Sequence, residues 1–392
     1  MCKRTITSEF VSYGHPDKMA DQVSDALVDE FLKQDPNSRT GIEVLIKDNV
    51  VVLGGEVNSR ADVNCSKVVR DTFKEFNFPE NHHLSPSEIK VINLIGEQSP
   101  EIHQGVDKND DEIGAGDQGF CVGFASNETE VYLPLGYYLA KKICQYIASL
   151  TPTYGPDVKT QVTVEYDEEG HATLKHILVS TMHQNELEDC RIEIEDIILN
   201  NRFDIPEELF NQYFDEDIYN YDILVNPCGE WRMGGPVSDC GVTGRKIVVD
   251  AYGGYCNVGG GAYSGKDHSK VDRSAAYMAR YLAKNIVATG ICNNAKVELS
   301  YAISVPEPTA INVVLDTNCE YEEKIIDWIK ANISLTPKGV YGRFDGSFPR
   351  NFHLARNGHY GYDVEGSDLL EVIYPWERID FADRLRFYLL EK

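Results

Sequence analysis

The chain has 392 residues, 42% of them apolar, and a net charge of −26, which is enough apolar content for a substantial core in domains of roughly 100–200 residues each. So large an acidic excess opposes binding to nucleic acid or anionic membrane, both of which need a cationic footprint. No apolar run reaches the ~18 residues of a membrane span, the start Met1-Cys2-Lys3-Arg4-Thr5 leads into a polar segment with no signal-peptide core, and the scattered cysteines form no CxxC pair; a cytoplasmic protein with reduced thiols is the default expectation.

Residues 5–18 read as an extended stretch turning at Gly14 into a helix that has Pro16 in its first turn and runs to about Gln34. Met19, Val23, Leu27 and Phe31 form its apolar stripe, with Asp21, Asp25, Asp29 and Glu30 largely off it. His15 and Asp17 fall at the helix N-terminus, where free N–H groups favour an anion or a carboxylate; a turn histidine and a capping acid are the plainer roles. Residues 41–57 read as a hairpin turning near Asp48-Asn49. Glu43 and Glu56 interrupt its apolar strands, either on a solvated face or lining a pocket for a cation or an amino group.

A helix is predicted at about 60–76 and a buried strand at 89–95. The stretch from Gly96 to Gly119 has little hydrophobic periodicity and reads as a lid anchored by the Gly114–Gly119 turn. A helix after Pro134, paired strands at 159–166 and 173–181 and a charged helix at about 186–201 follow. Residues 226–246 form a turn-rich module that carries Trp231, a carboxylate and the adjacent cations Arg245 and Lys246, ahead of a predicted strand at 247–250. Trp231 either stacks on a purine or packs in an interface.

The most informative stretch runs from Gly259 to Ser274. Its glycines let bare amides approach an anion, Lys266 and Lys270 reach phosphate oxygens as point charges, and Asp272 is suited to an accompanying Mg²⁺. A flexible surface turn with solvated lysines is the alternative. A P-loop is disfavoured, because position 267 is Asp where that motif needs a hydroxyl and no strand leads directly into Gly260. A helix at about 272–290, strands at 296–305 and 310–316 and a helix at 320–333 complete a pattern of short alternating groups, which favours α+β layers over one doubly wound sheet.

Taken together, Gly14-His15-Pro16-Asp17-Lys18, the Gly114–Gly119 turn, Gly234 to Lys246, Gly259 to Tyr277 and the C-terminal Gly358-His359-Tyr360-Gly361 and Pro375-Trp376-Glu377 resemble the signature segments of S-adenosylmethionine synthetase, in the same order along nearly the whole chain. The resemblance implies three similar α+β domains in a pseudo-threefold arrangement: an N-terminal domain over 1–100 followed by a gating loop at 98–118, a central domain over 113–233 and a C-terminal domain over 234–392, with residues 1–12 free to pack with another domain. It implies that methionine sulfur attacks C5′ of ATP and that the expelled triphosphate is then hydrolysed to pyrophosphate and phosphate. A homodimer with shared active sites, sometimes paired into a tetramer, is also implied. A non-catalytic nucleotide-binding homologue or regulatory subunit is the alternative, opposed by retention of His15, Asp17, Lys266 and Asp272.

Carried over by position, the resemblance places His15 near the leaving triphosphate and makes Lys159, Arg245, Lys246, Lys266 and Asp239 its catalytic companions. Asp157, Lys159, Glu230, Trp231, Asp239 and Ala262 flank the nucleotide, while Glu56, Gln98, Asp239 and Lys270 contact methionine. Asp17 and Asp272 hold Mg²⁺, two ions per site, and Glu43 holds K⁺. The chain departs from the usual family residues at Phe10, Tyr13, Met182 and Glu230-Trp231-Arg232-Met233, so a remodelled adenine pocket is expected, with a reversed charge at Glu230.

Overall fold

A computed structural model describes residues 3–97, 107–109, 112–214, 221–316, 319–344 and 351–391. In chain order the strands and helices are β1 (Arg4–Val11), α1 (Pro16–Gln34), β2 (Arg39–Lys47), β3 (Val50–Asn58), α2 (Cys65–Lys74), β4 (Lys90–Asn93), β5 (Gly96–Glu97), β6 (Asp107–Asn109), β7 (Glu112–Ile113), β8 (Gly119–Ser126) and α3 (Leu135–Ser149). They continue as β9 (Tyr154–Tyr166), β10 (Ala172–His183), α4 (Leu187–Leu199), α5 (Glu207–Tyr213), β11 (Asp222–Val225), β12 (Gly241–Val242), α6 (Ile247–Asp250) and α7 (Val271–Ala288). The last are β13 (Asn294–Tyr301), β14 (Ala310–Leu315), α8 (Glu322–Asn332), α9 (Pro337–Arg343), α10 (Asn351–Asn357), α11 (Asp368–Ile373) and α12 (Ala382–Leu390).

Three sheets of similar build carry the fold. Their orders are β1-β9-β10-β11, β12-β2-β3-β4 with β5 also on β3, and β14-β13-β8. Each lays one long helix on its apolar face: α3 on β9 and β1, α1 on β2, and α7 on β8 and β13. The chain reaches between sheets. β1 pairs antiparallel with β9 from Arg4↔Tyr166 to Val11↔Lys159, β8 pairs antiparallel with β13, and β12 pairs antiparallel with β2. Each sheet is thus completed by chain from a distant part of the sequence. The hairpin turns where its alternation predicts, with Asp48 at a left-handed φ of 50°.

Some local expectations are corrected. Residues 247–250 form one helical turn, α6, instead of a strand; three β-branched residues and an acid are too short a run to tell the two apart. The strand after α2 spans Lys90–Asn93 and is largely exposed, because it lies at the sheet edge. The lid expected between Gly96 and Gly119 falls partly outside the described residues. Its anchor is described: Ala115 exchanges backbone hydrogen bonds with Ser304 and Val305, and a Cβ on Gly116 would stand 3.2 Å from the Ser269 carbonyl. The described cysteines are free thiols, and no helix among the described residues is long and apolar enough to cross a membrane.

Charge is buried deliberately in the core of the last sheet. Glu377 takes Arg280 through Nε at 3.1 Å and Nη2 at 3.0 Å and receives Lys284 Nζ at 2.8 Å, all three groups being almost fully enclosed. Burial pushes the Glu377 carboxyl up, and the fields of Arg280 and Lys284 outweigh it and hold it below the usual range. Removing the acid strands two buried cations, a change worth about 3–5 kcal/mol. Glu377→Ala is therefore expected to lower the unfolding free energy by about that amount in urea titration; a loss below about 1 kcal/mol contradicts this account.

Candidate active site

The site is assembled on one edge of β2. Its inner half pairs with β12, Ile46 opposite Gly241 and Leu45 opposite Val242, and Thr243 N donates to the Val44 carbonyl at 3.0 Å. The outer half takes the glycine-rich loop: Ile42 N donates to the Gly265 carbonyl at 2.9 Å, and Gly41 bridges to Lys266. Two loops that are distant in sequence therefore lie end to end on one strand edge. They also touch, since a Cβ on Gly244 would lie 2.7 Å from that of Ala262. Gly244 and Gly265 both hold positive φ, 78° and 84°, which other residues rarely adopt.

The N-terminus of α1 abuts the first loop. His15 is the N-cap residue, buried, and its Nδ1 accepts from Asp17 N at 3.1 Å. That bond fixes the tautomer, with the proton on Nε2. Burial and the cations Lys246, Lys159 and Lys18 hold the His15 pKa down at about 2, against an opposing pull from Asp239. The ring is therefore a neutral N–H donor. Asp17 accepts Lys246 Nζ at 2.5 Å, lies 3.7 Å from Arg245 Nε, and fixes Val242 N at 2.9 Å.

Asp157 and Lys159 come in from β9, whose start is locked to the turn before α1 because Ser12 Oγ accepts from Val158 N at 2.8 Å. Asp157 is buried; one oxygen accepts from Gly235 N at 2.7 Å, while the other has no partner among the described residues. Burial pushes its pKa up to about 7, opposed by Gly235 N–H and Lys159. On the second loop Lys266 Nζ meets Asp272 at 2.6 Å, and Gly261 runs so close that a Cβ there would sit 2.1 Å from the Asp272 carboxyl group. Asp267, the residue that breaks the P-loop pattern, is a brace: fully buried, it accepts from Thr40 N at 2.7 Å and Ser269 N at 2.9 Å. Lys270 Nζ stands 3.4 Å from it. The helix begins only at Val271, six residues past the last loop glycine, unlike a P-loop.

His15, Asp17, Asp157, Lys159, Asp239, Arg245 and Lys246 are thus gathered around one locus, with Ala262 and Lys266 on the adjoining loop and Asp272 in the first turn of α7. Glu43 and Glu56 are not joined to that group within the chain. They share the outer face of the β2–β3 hairpin, Glu43 opposite Gly54 and Glu56 opposite Gly41, away from α1. Gln98 lies outside the described residues.

The departures sort differently from the expectation of one remodelled pocket. Phe10 is core, packed on Tyr137 at 5.9 Å between centroids, and Tyr13 lies beneath the Arg356 guanidinium at 4.0 Å. Glu230 does not leave a bare reversed charge, because Arg232 pairs with it at 3.2 Å while also bonding the Gln184 carbonyl at 2.7 Å. Trp231 is half-buried, its indole N–H donating to the Met233 carbonyl at 2.9 Å. Met182 is fully buried with its sulfur 3.2 Å from Gly234 N, so it packs behind the turn that faces Asp157. Sequence reading also missed Asp21 and Asp25, which are fully buried. Acids at every fourth position of a helix that is apolar on its other side were the available signal.

The donor set suits a hard divalent cation, which takes one or two carboxylates and fills its shell from phosphate and water. Asp17 and Asp272 are carboxylates in the first turns of α1 and α7, Asp17 balanced by Lys246 and Arg245 and Asp272 by Lys266. Fold and site together define an α+β protein whose cleft pairs carboxylates with cations, the chemistry of an enzyme that handles a metal–polyphosphate.

Comparison with known proteins narrows this class. Residues 3–100, 112–231 and 233–378 match the family models described as the N-terminal, central and C-terminal domains of S-adenosylmethionine synthetase. The S-adenosylmethionine synthase of Staphylococcus epidermidis is 40% identical over 98% of both chains, and that of Nitratiruptor sp. is 39% identical over 98% of both. A solved structure described as an unusual S-adenosylmethionine synthetase from Campylobacter jejuni superposes with a TM-score of 0.85 at 36% identity, covering 99% of this chain and 100% of that one. The chain belongs to the S-adenosylmethionine synthetase family. Its activity is that of a methionine adenosyltransferase: methionine sulfur attacks C5′ of ATP to give S-adenosylmethionine, and the triphosphate is hydrolysed to pyrophosphate and phosphate. The family uses a divalent metal and potassium.

The fixed tautomer and low pKa of His15 are directly observable. In ¹⁵N-resolved NMR the ring is expected to stay neutral, protonated at Nε2, from pH 5 to 9, because its pKa is held at about 2. A titration near the ordinary histidine value of about 6.5 contradicts the buried, cation-flanked environment.

Proposed function

We propose that the cleft on the β2 edge carries the reaction, with each residue in the role its surroundings favour. The single observation that supports this most is the convergence of His15, Asp17 and Lys246 at the start of α1, where a buried neutral histidine stands beside a carboxylate–lysine pair. Displacement at an unactivated carbon needs no protein nucleophile. The sulfur lone pair forms the S–C5′ bond as C5′–O5′ breaks, and the triphosphate departs with the electron pair. What the protein must supply is in-line positioning and stabilisation of that charge.

His15 Nε2–H donates toward the leaving oxygen, and at a pKa of about 2 it acts as a fixed dipole and gives up no proton. Arg245, Lys246 and Lys266 leave their carboxylate partners to neutralise phosphate oxygens, and Lys159 adds charge from β9. Asp17 and Asp272 would hold Mg²⁺, two ions per site, which when bound screens the charge of the triphosphate, and Glu43 would hold K⁺. The unpartnered oxygen of buried Asp157 accepts from the nucleoside, the backbone at Ala262 lies close to it, and Glu230 and Trp231 flank its base. Asp239, Lys270, Glu56 and Gln98 orient methionine, with residues 98–118 as the gating loop.

Because Glu43 and Glu56 face outward, we take the working unit to be a homodimer with shared sites. Leu45, Val52 and Ile92 form a row on that same face, and Leu45, Ile92 and Leu94 are 40, 37 and 67% exposed. A second copy laid on this face buries the row and brings Glu43 and Glu56 to the other chain's cleft.

Asp17→Asn and Asp272→Asn are each expected to shift the Mg²⁺ dependence of S-adenosylmethionine formation to higher concentration and to lower kcat by about 10²-fold or more. An unchanged Mg²⁺ response in both variants removes the metal assignment. Trp231→Ala is expected to weaken ATP binding by about 1 kcal/mol or more while sparing methionine, if stacking is its role; equal losses for both ligands assign it to packing instead.

A further inference from the structure

Helix α1 carries Asp17, Asp21, Asp25 and Asp29 at strict four-residue spacing, so the four carboxylates stand in one column. Each accepts a backbone N–H from a different place. Asp17 takes Val242 N, Asp21 takes Gly244 N and Asp25 takes Gly265 N, all at 2.9 Å. Asp29 takes Asn351 N and Phe352 N, also at 2.9 Å. The middle two have no solvent exposure.

Stacking like charges in a core is costly, and the fold offsets it with dedicated counter-ions. Lys18 Nζ lies 3.0 Å from Asp21 and 2.6 Å from Asp250, and Arg273 grips Asp25 with two bonds of 2.7 and 3.0 Å. The two loop residues held by Asp21 and Asp25 are telling. Gly244 immediately precedes Arg245 and Lys246, and Gly265 immediately precedes Lys266. Both glycines hold positive φ, so each amide bond fixes the chain at the point where it turns the cation outward.

We propose that Asp21 and Asp25 are positioning residues for the adenosyl transfer, setting through Gly244 and Gly265 where Lys246 and Lys266 stand. The inference rests on the reading that these lysines serve the triphosphate. One rigid helix thereby fixes the two cationic loops against each other before substrate arrives. Charge-assisted bonds to backbone N–H are strong enough to impose this, and a misplacement of about 1 Å at such a site can cost about 10²-fold in rate.

The test is a double-mutant cycle on the full-length enzyme, reading kcat, KM for methionine and the affinity for inorganic triphosphate. Lys246→Ala alone should lower kcat and triphosphate affinity; if it lowers neither, the site reading fails, independently of the role of Asp21. Given that loss, Asp21→Leu should reduce kcat by about 10²-fold with KM for methionine little changed. Asp21→Asn, which keeps an acceptor for Gly244 N–H, should recover most of it. Asp21→Leu combined with Lys246→Ala should be no worse than Lys246→Ala alone, because the aspartate acts through the lysine. Fully multiplicative losses, or equal damage from Leu and Asn, overturn the proposal. Should Asp21→Leu fail to fold, hydrogen exchange in the ¹⁵N-glycine-labelled wild-type enzyme decides: the substrate-free Gly244 and Gly265 amides should exchange as slowly as those of the α1 core, and rapid exchange at both overturns it.

Discussion

The site depends on one strand edge. β2 has hydrogen-bonding groups to satisfy along its outer side, and they are satisfied by two loops lying end to end, residues 241–243 and 265–266. A strand edge repeats at a fixed spacing, so the separation of the two loops follows from backbone geometry and not from side-chain packing. The cations that follow those loops inherit that precision. Helix α1, packed on the buried face of β2 and against β12, grips the same loops through its aspartates, so strand and helix constrain them from two directions.

The electrostatics follow from the same arrangement. A chain with a net charge of −26 must gather positive charge locally to bind a polyanion, and three of its lysines here each stand against a carboxylate. Lys246 stands on Asp17, Lys266 on Asp272 and Lys270 near Asp267. Such pairs hold the lysines in position without substrate. His15 stays neutral: burial and neighbouring lysines push its pKa down, and a neutral imidazole can donate its one N–H to an anion without carrying an acidic second proton.

Around Glu230–Met233 the chain compensates its own departures. Glu230 introduces a negative charge and Arg232 cancels it two residues later. Arg232 also ties that segment to the carbonyl of Gln184, and the Trp231 indole is fixed by Met233. Met182 fills the space behind Gly234. These residues form one local unit, so substituting any one of them alone disturbs the others.

Much of this was legible in the sequence. The helix from Pro16, the hairpin at Asp48, the α+β class and the signature segments all follow from periodicity, turn chemistry and residue order, which are local properties of the chain. The segments also carried the reaction class, because together and in order they mark one family. Tertiary structure alone decided the rest. Asp21 and Asp25 lie off the apolar stripe of their helix, and only the approach of residues 244 and 265 from over two hundred positions away makes them buried acceptors. Asp267 looked like a flaw in a phosphate loop and proves to be its brace on Thr40. The partner of a buried carboxylate is a backbone amide, which has no residue identity and leaves no trace in composition or spacing.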